Sequence, residues 1–199
     1  MIDNEKEWDI INIVILGRGG QGAVTAAEII AEAAYLSGNF VDVHAYPSFG
    51  AERRGAPIQS YAKLSKHEKL WDRSQIENPH IIIVLDITVL NQMITDSLKK
   101  DGIILLDTEK EPADYKTKFN FGNEIKIYVA DISKMAIEKG LTIEGSPVIN
   151  IGIIGLLSKA ISEIDLNNII PIVKKRMGKE IAEKNINLME DVYSSARIS

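Results

Sequence analysis

The 199-residue chain contains no cysteine. That absence excludes disulfides, a thiol nucleophile and the usual thiolate ligation of an iron–sulfur cluster within this polypeptide. Histidine is nearly as scarce. His44, His67 and His80 lie far apart, none at metal-ligand spacing from another, and each reads as a surface or half-buried side chain. No Ser-His-Asp arrangement is apparent, so no residue is assigned a catalytic role and none a metal. Basic charge is also short: 23 Lys and Arg against 28 Asp and Glu leave a net charge of −5. There is then no electrostatic case for nucleic acid. No apolar run approaches the roughly 20 residues needed to cross a bilayer, and the acidic, polar start Met1–Glu7 is wrong for a secretory signal. A cytoplasmic location without membrane contact is the expectation that follows.

What is present is ordinary in bulk and specific in one place. Hydrophobic residues at 45% and charged residues at 26% suit a soluble globular protein. The length suffices for one sizeable domain, read here as residues 10–195 after an N-terminal extension of residues 1–9. The specific place is the apolar run Ile13-Val14-Ile15-Leu16, which ends in Gly17-Arg18-Gly19-Gly20-Gln21-Gly22 and opens into an alanine-rich helical pattern. Gly17, Gly19 and Gly22 stand in G-x-G-x-x-G register, the strand–turn–helix of a nucleotide-type α/β domain. In that pattern Gly17 permits a tight turn, Gly19 lets backbone approach a ligand or another chain, and Gly22 allows close helix–strand packing. The free N–H groups at the new helix's N-terminus favour an anion. Gly19, Gly20, Gln21 and Gly22 are therefore candidate ligand-binding residues, with close backbone contact across a subunit interface as the alternative.

The pattern along the chain predicts a strand over 10–16, a helix over 21–36 and a strand over 40–46. The helix carries one polar stripe of Thr25, Glu28 and Glu32, read as a solvated face. Asp42 sits about 20 residues past Gly22, near where a dinucleotide-binding protein holds the ribose. It lies early in its strand, away from the carboxyl end, and reads as a strand-face carboxylate. The connection Pro47–Pro57, with two prolines and two glycines, is too short and broken for a crossover helix. The alternating strand over 58–64 is thus expected to be antiparallel to its neighbour or at a sheet edge. Buried strands are predicted over 80–85 and 102–106, with a helix over 88–99 between them. A polar, turn-rich stretch over 109–123 precedes a strand over 124–129 that closes the sheet. Helices follow over 132–139 and 148–162, with two more between 168 and 195. Pro171 should fall in the first turn of the penultimate helix. The fold class is α/β: a three-layer, Rossmann-like domain with a largely parallel sheet, mixed at an edge, and a helical C-terminal region.

Two segments in order carry a family resemblance. Gly17-Arg18-Gly19-Gly20-Gln21-Gly22-Ala23-Val24-Thr25-Ala26-Ala27-Glu28, running on to Ala34, is followed by Phe49-Gly50-Ala51-Glu52-Arg53-Arg54-Gly55-Ala56-Pro57. Together they resemble the gamma subunit of 2-oxoacid:ferredoxin oxidoreductases, most like the pyruvate branch, pyruvate synthase. Later echoes are Asn150 with Gly152 and Gly155, then Asn185 and Asn187. The resemblance implies a subunit that is not active alone, in an enzyme that oxidatively decarboxylates a 2-oxoacid with coenzyme A and reduces ferredoxin, or runs the reverse. It implies alpha, beta and delta partner subunits, with thiamine diphosphate, magnesium and iron–sulfur clusters in those partners. This chain then holds no cofactor alone and contributes a contact to coenzyme A in the complex. Arg53 and Arg54 are the candidate phosphate contacts, because guanidinium groups present planar forks of donors matched to phosphate oxygens. A salt bridge to a partner subunit is the competing role for either. Arg-Arg-Gly-Ala-Pro favours pyruvate and leaves 2-oxoisovalerate open. Isolated, with its partner-facing surface uncovered, the chain is expected to self-associate as a homodimer.

Two readings of other classes compete. An independent NAD(P)-dependent oxidoreductase would use the glycine turn for a dinucleotide, but no acid stands at the end of the second strand and no Tyr-Lys or His dyad is evident. A purely structural assembly subunit would hold no ligand of its own.

Overall fold

Runs of β-branched and leucine residues become the strands at the centre of the molecule. The computed structural model describes residues 8–48 and 54–199. Strand β1 (Ile10–Arg18) leads through the glycine turn into helix α1 (Ala23–Leu36). Then come β2 (Asp42–Pro47), β3 (Pro57–Ser65), β4 (Ile81–Val84), α2 (Gln92–Asp96), β5 (Ile103–Asp107), α3 (Pro112–Phe119) and β6 (Lys126–Ala130). The C-terminal part holds α4 (Ile132–Glu138) and a hairpin of β7 (Thr142–Ile143) and β8 (Ser146–Pro147). Helices α5 (Ile154–Ala160), α6 (Leu166–Arg176) and α7 (Lys179–Ser195) follow, then β9 (Arg197–Ile198).

Among the described residues the main sheet runs in the order β2-β3-β1-β4-β5-β6-β9. Strands β1, β4, β5 and β6 are parallel, whereas β3 is antiparallel to both β1 and β2, and β9 is antiparallel to β6. The expected α/β class, with a largely parallel sheet mixed at its margins, is what the chain forms. Strand β3 is antiparallel, as its short connection requires, but it is not the edge. It slots between β2 and β1, the position β2 would take in a plain Rossmann unit, and its Ser60, Tyr61 and Ala62 are buried. The opposite edge also differs from the sequence expectation, because β9 pairs outside β6 with Tyr128 opposite Ile198.

The two faces of the sheet are covered unequally. On one, Ile11, Ile13 and Ile15 of β1 pack with the alanines of α1 and with residues of α4, α5, α6 and α7. On the other, Val14 and Leu16 join Ile82, Val84, Ile104 and Leu106 beneath Tyr115 and Phe119 of α3. Parallel strands buried on both faces need continuous apolar sequence, which is why Ile81–Val84 carries no polar residue. Helix α1 lies close to its neighbours because Ala26, Ala27, Ala33 and Ala34 add little bulk, and all four are fully buried. Its stripe is not simply solvated: Arg176 of α6 reaches Glu28 at 2.8 Å and Glu32 at 2.7 Å. Asp42 does serve locally, accepting from the Leu70 amide at 2.8 Å.

Four helical expectations need correction. The region 88–99 is not one helix. The Asp86 side chain accepts from the Thr88 amide and starts a short 3-10 turn over Ile87–Val89, Leu90 is extended, and Asn91 caps a separate α2. Local hydrogen bonds from Asp and Asn here compete with helix continuation. The polar stretch after Asp107 contains α3, started by Pro112 and by reciprocal capping between Glu111 and Asp114. The segment 148–162 is helical only over α5, after turns through Asn150 and Gly152. Pro171 lies inside α6 rather than in its first turn, because the helix starts at Leu166 with Asp165 as its cap.

Candidate functional site

The glycine turn, the Arg54-Gly55 segment before β3 and the β7–β8 hairpin meet at the carboxyl end of the parallel strands. They enclose an open cleft of about 490 Å³ lined by Arg18, Gly19, Gly20, Gln21, Gly22, Arg54, Gly55, Glu144 and Asn150, among others. Crevices at this end of an α/β sheet are where such folds place ligands. Four of the sequence-predicted site residues, Gly19, Gly20, Gln21 and Gly22, are therefore brought together, and Arg54 joins them. Arg53 lies outside the described residues.

Each residue of the turn has a separate structural task. Gln21 folds back so that its Oε1 accepts the Arg18 amide at 2.7 Å, while its own N–H donates to the Arg18 carbonyl at 3.0 Å. A Cβ on Gly17 would sit 3.0 Å from that Oε1 and 3.3 Å from Leu85 Cβ, so Gly17 is the close-packing glycine. Gly19 uses both of its backbone hydrogen-bonding groups within the chain. Its N–H donates to the Ala56 carbonyl at 2.9 Å, and its carbonyl accepts from the Gly55 amide at 3.0 Å. Gly20 and Gly22 take left-handed backbone angles, with φ of 97° and 80°, which L-residues with a Cβ adopt at a cost. Gly22 is thus not needed for helix–strand packing. It caps α1, and a Cβ there would lie 2.8 Å from Asn150 Cγ.

The cleft's donor set is backbone and guanidinium. The first N–H groups of α1 have no intrahelical partner, Gly22 supplies no side-chain cap, and the first turn carries no acid. Asn150, 6% exposed, closes one side. Its Nδ2 donates to the Gly22 carbonyl at 3.3 Å, and its buried Oδ1 has no hydrogen-bond partner among the described residues.

Arg18 and Arg54, the cations lining the cleft among the described residues, each face a carboxylate. The Arg18 guanidinium donates to Asp86 at 3.0 Å, to the Gly55 carbonyl at 3.0 Å and to Thr88 Oγ1 at 2.7 Å. Burial alone would raise the Asp86 carboxyl, but hydrogen bonds from the Thr88 hydroxyl and amide, with the Arg18 charge, outweigh it and hold it below the usual range. Arg54 pairs with Glu144 at the hairpin tip. Deeper in, Ser133 lines the cleft and donates its amide to Asp107 at 2.9 Å, and its hydroxyl donates to the same carboxylate. Burial pushes Asp107 up, and the Ser133 hydrogen bonds offset only part of that.

Sequence reasoning missed three members of this site. In the sequence Asn150 stands out only as an echo of a family pattern, and Arg18 carries no signal of its own between its glycines. The hairpin tip Glu144-Gly145, with φ of 50° and 81°, has the two consecutive left-handed residues of a type I′ turn. Its signal was a single X-Gly between β-branched and polar residues. Of the three histidines, His44 is half-buried and His67 exposed, but His80 is buried.

Fold and turn define a Rossmann-like α/β domain with an antiparallel strand inserted beside β1 and an open cleft over its glycine turn. The chain belongs to the pyruvate ferredoxin/flavodoxin oxidoreductase family, whose model matches residues 12–195. It is 34% identical over 190 residues to the pyruvate/ketoisovalerate oxidoreductases common subunit gamma of Pyrococcus furiosus, covering 95% of this chain and 98% of that one. It is 33% identical to the pyruvate synthase subunit PorC of Methanocaldococcus jannaschii, covering 93% and 96%. Among solved structures, pyruvate oxidoreductase subunit PORC of Thermotoga maritima superposes with a TM-score of 0.80 at 28% identity, covering 96% of this chain and 99% of that one. The fold also recurs in a 2-oxoglutarate:ferredoxin oxidoreductase from Magnetococcus marinus, solved with 2-oxoglutarate, coenzyme A and succinyl-CoA bound. There the TM-score is 0.71 at 19% identity, over 94% of this chain and 31% of the larger one. No helix among the described residues is long and apolar enough to cross a membrane.

Proposed function

We propose that this chain is the gamma subunit of a multi-subunit pyruvate:ferredoxin oxidoreductase, folded as one domain over residues 10–195, and that its glycine-turn cleft contributes to the coenzyme A site. The observation that carries the reading is the convergence of the α1 N-terminus, Arg54 and the partly unsatisfied Asn150 on one cleft, in a chain whose relatives are gamma subunits along nearly their whole length. The residues fit a phosphate group. Unpaired backbone N–H groups at a helix start and an exposed guanidinium are the donors anion sites are built from. Coenzyme A would supply the thiol that accepts the acyl group. This chain would bind and orient it through Gly20, Gln21, the first turn of α1 and Arg54. Iron–sulfur clusters would reside in partner subunits, since a chain without cysteine offers no thiolate for a cluster, and thiamine diphosphate and magnesium would likewise be held by the alpha, beta and delta subunits. Ferredoxin would meet the complex through those subunits.

The test is to isolate the native complex, identify its co-purifying chains, and assay reduction of an electron acceptor with pyruvate, 2-oxoisovalerate and 2-oxoglutarate. Pyruvate should give the highest kcat/KM, and the isolated chain should show no turnover with any of them. Turnover by this polypeptide alone, or purification without oxidoreductase subunits, would overturn the assignment.

A further inference from the structure

The Arg54–Glu144 pair spans the mouth of the cleft. Arg54 is anchored by its backbone: Gly19 and Arg54 form a parallel bridge, and the Gly55 amide donates to the Gly19 carbonyl. Its aliphatic stem lies over the glycine turn, with Cγ 3.8 Å from where a Gly20 Cβ would be. Its guanidinium reaches Glu144 on the opposite wall, at the two-residue tip between β7 and β8. This contact ties two walls of the cleft, and it occupies a cation that an anionic ligand would use.

We propose that Glu144 is a built-in competitor for Arg54, a stand-in anion that a phosphate-bearing ligand must displace, so that the hairpin sets the threshold for ligand entry. The inference rests on the coenzyme A reading of the cleft. Three features support displacement. The two side chains are 74% and 68% exposed, and pairs in that setting are weak and easily exchanged. A phosphate offers Arg54 more charge and a better-matched set of acceptor oxygens than one carboxylate does. Arg18 is held more firmly than Arg54, because Asp86, Thr88 and Gly55 take one donor from each of its three guanidinium nitrogens and its charge is already paired with Asp86. Without its competitor, the cleft would present α1 N–H groups and a free guanidinium together.

The test is calorimetric titration of the assembled complex, already saturated with thiamine diphosphate, with inorganic pyrophosphate and, separately, with coenzyme A, the complex carrying the parent chain, Glu144→Gln, Arg54→Gln or the double variant. Removing the competing charge should tighten both probes roughly three- to tenfold in Glu144→Gln, and the gain should vanish in the Arg54→Gln background. Unchanged or weaker binding in Glu144→Gln, a gain that persists without Arg54, or no binding of either probe to any variant would overturn the proposal. The two readings separate cleanly. If pyrophosphate tightens as stated but coenzyme A binds no better than pyrophosphate, the competitor stands and the coenzyme A assignment falls. Saturable coenzyme A binding that is equal in parent and Glu144→Gln has the opposite meaning. Both side chains are solvent-exposed, and matched thermal unfolding of all four proteins would keep loss of fold out of the comparison.

Discussion

The side-chain amide of Asn150 donates to the backbone carbonyl of Gly22 across 128 residues of sequence, at 3.3 Å. One hydrogen bond thereby joins the glycine turn to the segment entering α5, and fixes the side of the cleft where α1 begins. Gly22 must be glycine twice over, for its φ of 80° and for the space Asn150 fills.

That relationship predicts a coupled pair of variants. Gly22→Ala should lower stability by about 1–3 kcal/mol through left-handed strain and crowding. Asn150→Ala should cost about 1–2 kcal/mol through the lost hydrogen bond. In the double variant the crowding disappears but the strain remains, so the summed costs should exceed the measured one. Urea unfolding of the four proteins reads this directly, and a Gly22→Ala protein as stable as the parent would contradict it.

Gly155 makes a second, independent prediction. A Cβ there would press on the backbone of α7 near the Met189 carbonyl and within 3.1 Å of the Tyr193 amide. Backbone cannot step aside as a flexible side chain can. Gly155→Ala should therefore cost roughly 1–3 kcal/mol while leaving the distant Arg54–Glu144 pair intact. A melting temperature equal to the parent's would show that α5 and α7 are not in such close contact.

His80 predicts a pH dependence. Its ring is 5% exposed, its Nδ1 accepts the Asn12 amide at 2.9 Å, and the Trp8 ring packs 4.7 Å away. Burial first, then the nearby Lys99 charge, lower its pKa to about 4 from an ordinary 6.5, against a smaller pull from Asp101. Between those values the unfolded chain binds a proton that the folded chain does not, so stability falls as the pH drops from 6.5 towards 4. The loss should reach roughly 1–3 kcal/mol. His80→Gln should remove that part of the slope. A resonance assigned to the His80 imidazole that titrates near 6.5 in the folded protein would refute the sign.

Much of the fold was legible because buried parallel strands and the Gly-rich turn leave strong local signals. Ile81–Val84 reads as a strand from composition alone, and the broken Pro47–Pro57 connection announces an antiparallel β3. Its place between β1 and β2 was not legible, since strand order depends on contacts distant in sequence. Position β9 had no signal: two residues at the chain's end become a strand only because β6 offers a free edge. Helix α3 was hidden by its polarity, although Glu111-Pro112-Ala113-Asp114 holds the start signals. The glycine turn was legible as a site, but the division of labour within it was not. Which glycine meets Leu85, which meets Asn150 and which bonds to Ala56 are facts of tertiary packing.

The measurement that bears most directly on the central claim is amide hydrogen exchange in the assembled native complex, with and without saturating coenzyme A. Bound coenzyme A should slow exchange at Gly20 to Thr25 and at Arg54 to Gly55, where the cleft's free N–H groups and its guanidinium converge, and leave α7 unchanged. Exchange across the glycine turn and the loop before β3 that does not respond to coenzyme A, in a complex that turns over with it, would contradict the account.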